Sequence, residues 1–238
     1  MRPDETGNGH AGPEWDQRLQ EMTDLGRASK YQAFKEPLAL LGLLYVYQRD
    51  HIPLDDTPCE ASRFTLRLAE AVEEHCRLDG QPFSRHILSG VRKIEPAIIA
   101  RWLEIGMRGK FSQGFAEWFA ARLNDLAFAD RHDTPSSVCR LVASLVADLA
   151  CTSVFDPACG CGGVLAAAAE RIGQPTLFGQ EISAEAWAWA EMRFLVRGPG
   201  NVRLAVGNAL TERAFAERAP KAGFDLAVSN PPFGLHLD

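Results

Sequence analysis

The 238-residue chain lacks an apolar run long enough to cross a bilayer. Its longest run, from Leu38 to Tyr47, reaches only about half of the roughly 20 residues that a membrane-spanning helix needs. The first residues are polar and acidic and lack the apolar stretch of a signal peptide. These absences predict a cytoplasmic protein that has no membrane partner.

Cysteine is also scarce, with six residues and no CxxC pair. No histidine lies near Cys159 and Cys161 to complete a zinc site, so we expect neither a disulfide scaffold nor a bound metal. Positive charge is not in excess, since the net charge is −6 and the pI about 5.6. Such a chain is not expected to coat nucleic acid by itself, although local basic patches or a basic partner are compatible with it.

The composition that remains is that of an ordinary globular protein, with 46% hydrophobic and 24% charged residues. Residues 1–13 hold Gly, Pro and acidic residues without periodicity, which predicts a disordered tail. Residues 14–129 then carry helical signals throughout, among them a helix that Pro96 opens and Gly106 ends. We therefore expect a helical N-terminal domain over 14–129.

The pattern changes near residue 130. Thr134-Pro135 predicts a helix start, and apolar residues at helical spacing as far as Leu149 indicate about four turns. Short apolar runs then alternate with helical stretches, one of them a short polar helix near 211–218. This alternation predicts an α/β fold for 130–238, with a parallel sheet covered by helices on both faces.

A glycine turn follows the first predicted strand, 153–156, where the sequence DPACGCGG opens an alanine-rich helix. Glycines at a strand end let the backbone approach a ligand closely, as in nucleotide-binding βα turns, although a plain tight turn is the alternative. The second strand favours a ligand, because its last residue, Glu181, is placed to accept hydrogen bonds from ribose hydroxyls. The alternative for Glu181 is an exposed carboxylate at a strand end. Ser183 after it predicts the N-cap of the next helix.

The tetrapeptide Asn230-Pro231-Pro232-Phe233 stands where the apolar run FDLAVS, a predicted strand, should end. Two successive prolines cannot continue a strand or enter a helix interior, so they predict a rigid turn. That turn would hold the Asn230 amide and the Pro231 carbonyl as acceptors for an amino group. The Phe233 ring could stack on a planar base.

Together these motifs resemble the amino-methylating DNA methyltransferases that use S-adenosylmethionine, in particular the modification subunits of type I restriction-modification systems. The order of motifs is the same: a Thr-Pro helix, the glycine turn, GQEI at a strand end, GNAL, then NPPF. The resemblance covers about 130–238 well and implies a partial, Rossmann-like methyltransferase catalytic domain there. Residues 15–129 look like that family's helical N-terminal domain in kind and position.

The resemblance implies roles for individual residues. The predicted cofactor-binding residues at the methionine end of S-adenosylmethionine are Thr134, Pro135, Asp156, Cys159, Gly160 and Gly162. Glu181 would hold the ribose, Ile182 would pack on the cofactor's adenine, and Asn208 would bond that adenine where relatives often carry Asp. Catalysis would rest on Asn230, Pro231, Pro232 and Phe233, which would hold a target adenine flipped out of the duplex.

Two positions depart from the family pattern. Cys161 stands where Ser or Thr is common, and Val164, where Phe is common, removes a ring from the cofactor pocket. The implied mechanism is direct methyl transfer to the adenine amino nitrogen without a covalent enzyme intermediate, so neither Cys159 nor Cys161 is expected to act as a nucleophile. Positioning and electrostatics would carry the catalysis.

The family's sheet continues beyond NPPF, so the resemblance implies a sheet that is incomplete at the C-terminus, from a truncated product or one piece of a split enzyme. The implied partners are double-stranded DNA, a specificity subunit that reads its sequence and, as a further candidate, a restriction subunit. Two alternatives stay open. One is a methyltransferase acting on RNA or a protein glutamine amide, and the other is an inactive cofactor-binding fragment or interaction module.

Overall fold

The structure is a computed structural model that describes residues 12–29, 35–54, 59–76, 82–112, 114–126, 134–198 and 200–231. Two of the predicted catalytic residues, Pro232 and Phe233, lie outside the described residues. Among the described residues, no helix combines the length and apolarity that a membrane span requires.

As far as residue 145, the regular elements of the described chain are all helices. They are α1 (Pro13–Ala28), α2 (Lys35–Arg49), α3 (Ala61–His75), α4 (Ser84–Ile87), α5 (Pro96–Gly106), α6 (Phe115–Leu126) and α7 (Ser136–Leu145), with a 3₁₀ turn at Val91–Lys93. The predicted start and end of α5 are confirmed, because Pro96 is its first residue and Gly106 its last.

Helix α7 is shorter than the predicted four turns. Its last helical backbone bond runs from the Val146 N–H to the Val142 carbonyl, and the next bond, from Leu149 to Val146, closes a tighter turn. Leu145 and Leu149 are 73% and 45% exposed, so the apolar spacing that continues to Leu149 gains no burial that would extend the helix. The prediction of four turns is therefore wrong.

Strands and helices alternate in the remainder, as predicted. The elements are β1 (Ser153–Asp156), α8 (Gly163–Ile172), β2 (Thr176–Glu181), α9 (Ala184–Arg197), β3 (Val202–Val206) and β4 (Leu226–Ala227). The strand order is β3-β2-β1-β4, and all three neighbouring pairs are parallel. The short helix predicted near 211–218 is wrong: isolated turns, such as Ala216 N–H to the Arg213 carbonyl, occupy this segment. Only one large apolar side chain, Phe215, is buried there, too few to form a helix face.

Helix α9 joins the two halves of the chain. It packs on β2 and β3 and also contacts α2, α4 and α6. Trp187 is buried and meets the ring of His86 edge to face at 6.1 Å. Gly42 of α2 brings the helices close, since a Cβ there would lie 3.1 Å from the Met192 sulfur. One continuous core of buried side chains therefore includes residues of both halves.

The strand order places a change of direction beside β1. The chain moves from β1 to β2 and β3 on one side, and β4 lies on the other side of β1. In open parallel sheets, ligands bind in the crevice at the carboxyl ends of the strands where this change occurs. We refer to the space at the carboxyl ends of β1 and β4 as the switch-point crevice.

Candidate functional site

Asp156 ends β1 at the switch-point crevice and is only 1% exposed. Its carboxylate accepts a hydrogen bond from the Ala158 N–H at 3.0 Å and one from the side chain of Ser229, which follows β4. Burial raises the pKa of Asp156 to about 6, and the nearby charge of Glu181 adds to the shift. This buried carboxyl thus joins the ends of β1 and β4 and gives up its proton at a pH about two units higher than an ordinary aspartate does.

The glycine turn continues directly from Asp156. Gly160 and Gly162 have φ angles of +53° and +76°, which residues with a Cβ rarely adopt. A Cβ on Gly162 would lie 2.8 Å from a ring carbon of Phe194, so the backbone there packs against α9. The Cys159 N–H donates to the Gln180 carbonyl at 3.0 Å, which fastens the turn to β2. The turn is therefore packed against α9 and bonded to β2.

Glu181 ends β2 beside this turn. One carboxylate oxygen accepts from the Gly160 N–H at 2.9 Å and the other from the Ser183 N–H at 2.8 Å. Ser183 is the predicted N-cap of α9, which is confirmed by its side chain accepting from the Ala186 N–H. The carboxylate thus steadies the glycine turn, a contact that sequence spacing did not suggest.

Two of the predicted cofactor-binding residues lie farther along the same edge. Ile182 is 68% exposed, so its apolar side chain is not part of the core. The side-chain oxygen of Asn208 accepts from the Leu210 N–H at 3.0 Å, which shapes the turn after β3. Both residues follow strands at the carboxyl edge of the sheet, next to the Glu181 side of the turn.

Asn230 comes shortly after β4, on the opposite side of Asp156. Its side-chain nitrogen donates to the hydroxyl oxygen of Thr134 at 3.1 Å. That contact uses one of the two N–H donors of the amide and leaves the amide oxygen able to accept. Pro135 is the N-cap residue of α7, so this contact brings the predicted Thr-Pro motif beside the predicted catalytic Asn230. Pro231 is exposed.

The cysteines of the turn, Cys159 and Cys161, are both buried. Burial raises the pKa of the Cys159 thiol well above its usual value, and the charges of Asp156 and Glu181 raise it further. A thiol that resists ionisation is a poor nucleophile. No group of His, Cys, Asp and Glu side chains within the described ranges could hold a metal ion.

Sequence reasoning missed Arg193, which lies in α9 and is only 5% exposed. Its guanidinium donates to the Cys161 carbonyl in the glycine turn and to the side-chain oxygen of Asn124 in α6, both at 2.6 Å. A signal was present, because Arg193 stands among apolar residues in the sequence EMRFLV. A buried arginine needs fixed acceptors, which only the fold brings into place.

The parallel sheet with its glycine turn defines a Rossmann-like class, whose members bind ligands in the crevice at the carboxyl ends of the strands. The sequence profile of the N-6 DNA methylase family matches residues 120–238, half of the chain. The chain belongs to the N-6 DNA methylase family.

One similar protein is the type I restriction enzyme MjaIX methylase subunit of Methanocaldococcus jannaschii. The two are 32% identical over 108 residues, which cover 42% of this chain and 18% of that protein. The chain therefore matches under a fifth of the length of this relative.

Solved structures share the fold. A type I restriction-modification methyltransferase subunit from Streptococcus thermophilus superposes with a TM-score of 0.56 at 15% identity, covering 90% of this chain and 62% of that one. A chain described as a modification subunit of a type I restriction enzyme from Vibrio vulnificus gives a TM-score of 0.57 at 15% identity, covering 94% and 61%. The likeness extends over the helical half as well as the sheet, and the chain spans about three fifths of each neighbour's length.

Proposed function

We propose that the chain is the cofactor- and adenine-binding part of a DNA methyltransferase, which transfers a methyl group from S-adenosylmethionine to the N6 amino group of a flipped adenine. One observation carries the proposal: buried Asp156 has the glycine turn and Glu181 on one side and Asn230 of the Asn-Pro-Pro-Phe motif on the other. A cofactor half and a target half thus meet at one crevice.

The charges of the crevice suit this cofactor. Asp156 and Glu181 make the site acidic, which favours a ligand that carries positive charge on its sulfonium and amino groups. The start of α8 at Gly163 leaves backbone N–H groups without a side-chain cap, which favours the ligand's carboxylate. When bound, S-adenosylmethionine would supply an electrophilic methyl group on a positively charged sulfur.

We assign the cofactor's methionine end to the residues of the turn and the Thr-Pro motif, namely Thr134, Pro135, Asp156, Cys159, Gly160 and Gly162. Glu181 would hold the ribose hydroxyls, using lone pairs that its two backbone donors leave available. Ile182 and Asn208 would contact the cofactor's adenine, because both follow strands on the Glu181 side of the turn.

The target half would work by orientation. Because its amide nitrogen donates to Thr134, Asn230 would present its amide oxygen to an incoming amino group, and the Pro231 carbonyl would be the second acceptor. Two such acceptors keep the nitrogen lone pair of the base from delocalising into its ring. Pro232 and Phe233 would complete the turn and provide a stacking surface. No protein nucleophile is needed, in agreement with the raised pKa of the Cys159 thiol.

The proposal includes partners. Double-stranded DNA would be the substrate, and a specificity subunit would supply sequence recognition, because a net charge of −6 gives this chain little general affinity for phosphates. A restriction subunit is a further candidate partner, and a cytoplasmic location stays a prediction.

The first test is titration calorimetry of the purified chain with S-adenosylmethionine. We expect saturable binding at one site, lost in Asp156→Ala because the buried carboxylate that faces the cationic ligand is gone. Asp148→Ala is the matched control, since Asp148 is an exposed aspartate in the turn after α7, and it should bind as the unchanged chain does. A well-folded chain that does not bind contradicts the proposed cofactor site.

The second test is methyl transfer from labelled cofactor to duplex DNA, ribosomal RNA and release factor, with and without a specificity subunit. Label in N6-methyladenine of DNA, lost in Asn230→Ala, supports the proposal. Label in RNA or in a glutamine amide overturns the DNA assignment. Cofactor binding without transfer to any substrate favours a non-catalytic module.

A further inference from the structure

Arg193 is a buried cation that connects the glycine turn to the helical half of the molecule. Its Nε donates to the Cys161 carbonyl and its Nη2 to the Asn124 side-chain oxygen. Both distances are 2.6 Å, and hydrogen bonds from a charged donor are about twice as strong as neutral ones. The guanidinium thus bridges the glycine turn and α6. Within the described residues, no backbone hydrogen bond joins these two segments.

The Cys161 carbonyl is the acceptor through which Arg193 can fix the shape of the turn. Cys161 lies between the two glycines of positive φ, in the part of the turn where backbone freedom is greatest. Because a peptide group is planar, fixing that carbonyl also fixes the Gly162 N–H on the other side of the bond. The Gly162 N–H donates to the Cys159 carbonyl at 2.8 Å, which closes the turn. One arginine contact therefore sets the orientation of the central peptide of the turn.

Asn124 extends the connection to α7. Its side-chain nitrogen donates to the hydroxyl of Ser136, the first residue of α7, at 3.0 Å. Thr134, two residues earlier, accepts the hydrogen bond from Asn230. The segment from Thr134 to Ser136 thus contacts the target half of the crevice at one end and, through Asn124 and Arg193, the cofactor half at the other.

We propose that Arg193 and Asn124 are positioning residues that hold the glycine turn in its cofactor-binding shape, so that cofactor affinity depends on helix α6. Neither side chain is required to touch the cofactor. The inference rests on the proposed function for its ligand, S-adenosylmethionine, but the shape of the turn can be measured without any ligand.

The primary variant is Arg193→Lys, which keeps the charge and loses the two-pronged donor. Arg197→Lys is the matched control, because Arg197 lies one helical turn on in α9 and also donates to a carbonyl, that of Ala166 at 2.8 Å. We expect Arg193→Lys to raise the Kd for S-adenosylmethionine about tenfold, as loss of a charged hydrogen bond implies. Arg197→Lys should leave the Kd within about twofold, since it is an exposed contact.

Hydrogen exchange of the unliganded chain supplies the readout that a purely structural role would not give. In Arg193→Lys, amides 158–163 should exchange faster, by about tenfold, while amides of β2 keep their protection. Equal acceleration throughout the chain would mean that Arg193 only stabilises the fold, and it would overturn the inference. So would unchanged Kd and unchanged exchange in the turn.

Asn124 gives an independent pair of variants. Asn124→Asp keeps an acceptor for Arg193, and Ser136 can donate to it, so cofactor affinity should be retained. Asn124→Leu has a similar size and removes both bonds, so it should weaken binding as Arg193→Lys does. Equal affinities for the two variants overturn the inference even if Arg193→Lys fails to fold. If the unchanged chain does not bind the cofactor, the proposed function fails, and turn exchange in these variants still tests the positioning role.

Discussion

Asp156 is held at a place where its ionised form is unfavourable. The carboxyl is almost fully enclosed, and burial raises its pKa from 3.8 to about 6. The folded protein therefore binds this proton more tightly than the unfolded chain, so the free energy of unfolding falls as pH rises from about 4 to about 6. The residue therefore weakens the fold at neutral pH, and its proposed role is to present an ionised carboxylate to a cationic ligand.

We predict that Asp156→Asn stabilises the folded chain by about 2–3 kcal/mol at pH 7, because roughly two pKa units of unfavourable ionisation are removed. The amide can still accept from Ala158 and donate to Ser229. Urea unfolding at pH 7 and at pH 4 provides the measurement, and the gain should almost vanish at pH 4, where the wild-type carboxyl is protonated in the folded state. A variant less stable than the unchanged chain at pH 7 would show that this reasoning is wrong.

At the same scale, sequence reasoning found the residues that follow strands but not what they bond. Glu181 and Ser183 stand at positions where strand ends and helix caps have recognisable patterns. The contacts from Glu181 to Gly160, and from Arg193 to Cys161, depend on the packing of separate segments. Local patterns carry no information on such distant pairs. The cofactor and target roles of the site residues stay predictions.

At the scale of elements, the glycine turn is shaped by α9 as well as by its own residues. Gly162 needs both a positive φ and space beside Phe194, whereas Gly173, at the end of α8, needs only the positive φ of +95° and has open space around it. Substitution of Gly173 tests backbone conformation alone, and substitution of Gly162 tests backbone conformation and packing together.

We predict that Gly173→Ala costs about 1–3 kcal/mol, because a φ of +95° with a ψ of −125° is a backbone conformation that residues with a Cβ rarely adopt. Gly162→Ala should cost about 2–4 kcal/mol, because the new methyl group also overlaps the Phe194 ring. Denaturant titration of both variants measures the difference, and cofactor binding should weaken in Gly162→Ala only. A loss of no more than about 1 kcal/mol in Gly162→Ala, which the left-handed backbone alone would cost, would mean that α9 yields to the added methyl group.

Elements were predicted from sequence where local periodicity and caps agree with tertiary packing. The bounds of α5 and the alternation of strands and helices after β1 were of this kind. The predicted length of α7 was wrong because its leucines are not buried. Leu141 and Leu145 are 58% and 73% exposed, so no packing on this face extends the helix. β4 is similarly shorter than its apolar sequence suggests, with two paired residues, although the Val228 N–H still donates to the Phe155 carbonyl.

At the scale of the whole molecule, the helical half and the sheet share one core. Buried residues of α2 and α6 pack against α9, and α9 packs against the sheet. The division into a tail over 1–13, a helical domain over 14–129 and a partial methyltransferase domain over 130–238 stays a prediction about domain organisation. A shared core makes independent unfolding of two halves unfavourable.

We predict that the described helices and strands unfold in one cooperative transition. Pulsed hydrogen exchange should show α2 and β1–β2 losing protection at the same urea concentration. Phe119→Ala, which removes a fully buried ring of α6 beside Gly42, should destabilise both segments equally, by about 3 kcal/mol or more. Loss of protection in α2 at a lower urea concentration than in the sheet would show two separate folding units.

The enclosure of the turn's sulfur atoms also has a consequence for oxidative chemistry. Peroxide attacks the thiolate rather than the thiol, and it must reach the sulfur first. Cys159 meets neither condition, since its side chain is buried and its pKa is raised, whereas Cys59 and Cys151 are partly exposed. Oxidative damage would therefore fall on peripheral cysteines before it reached the crevice, and the glycine turn would survive redox stress that modifies the rest of the surface.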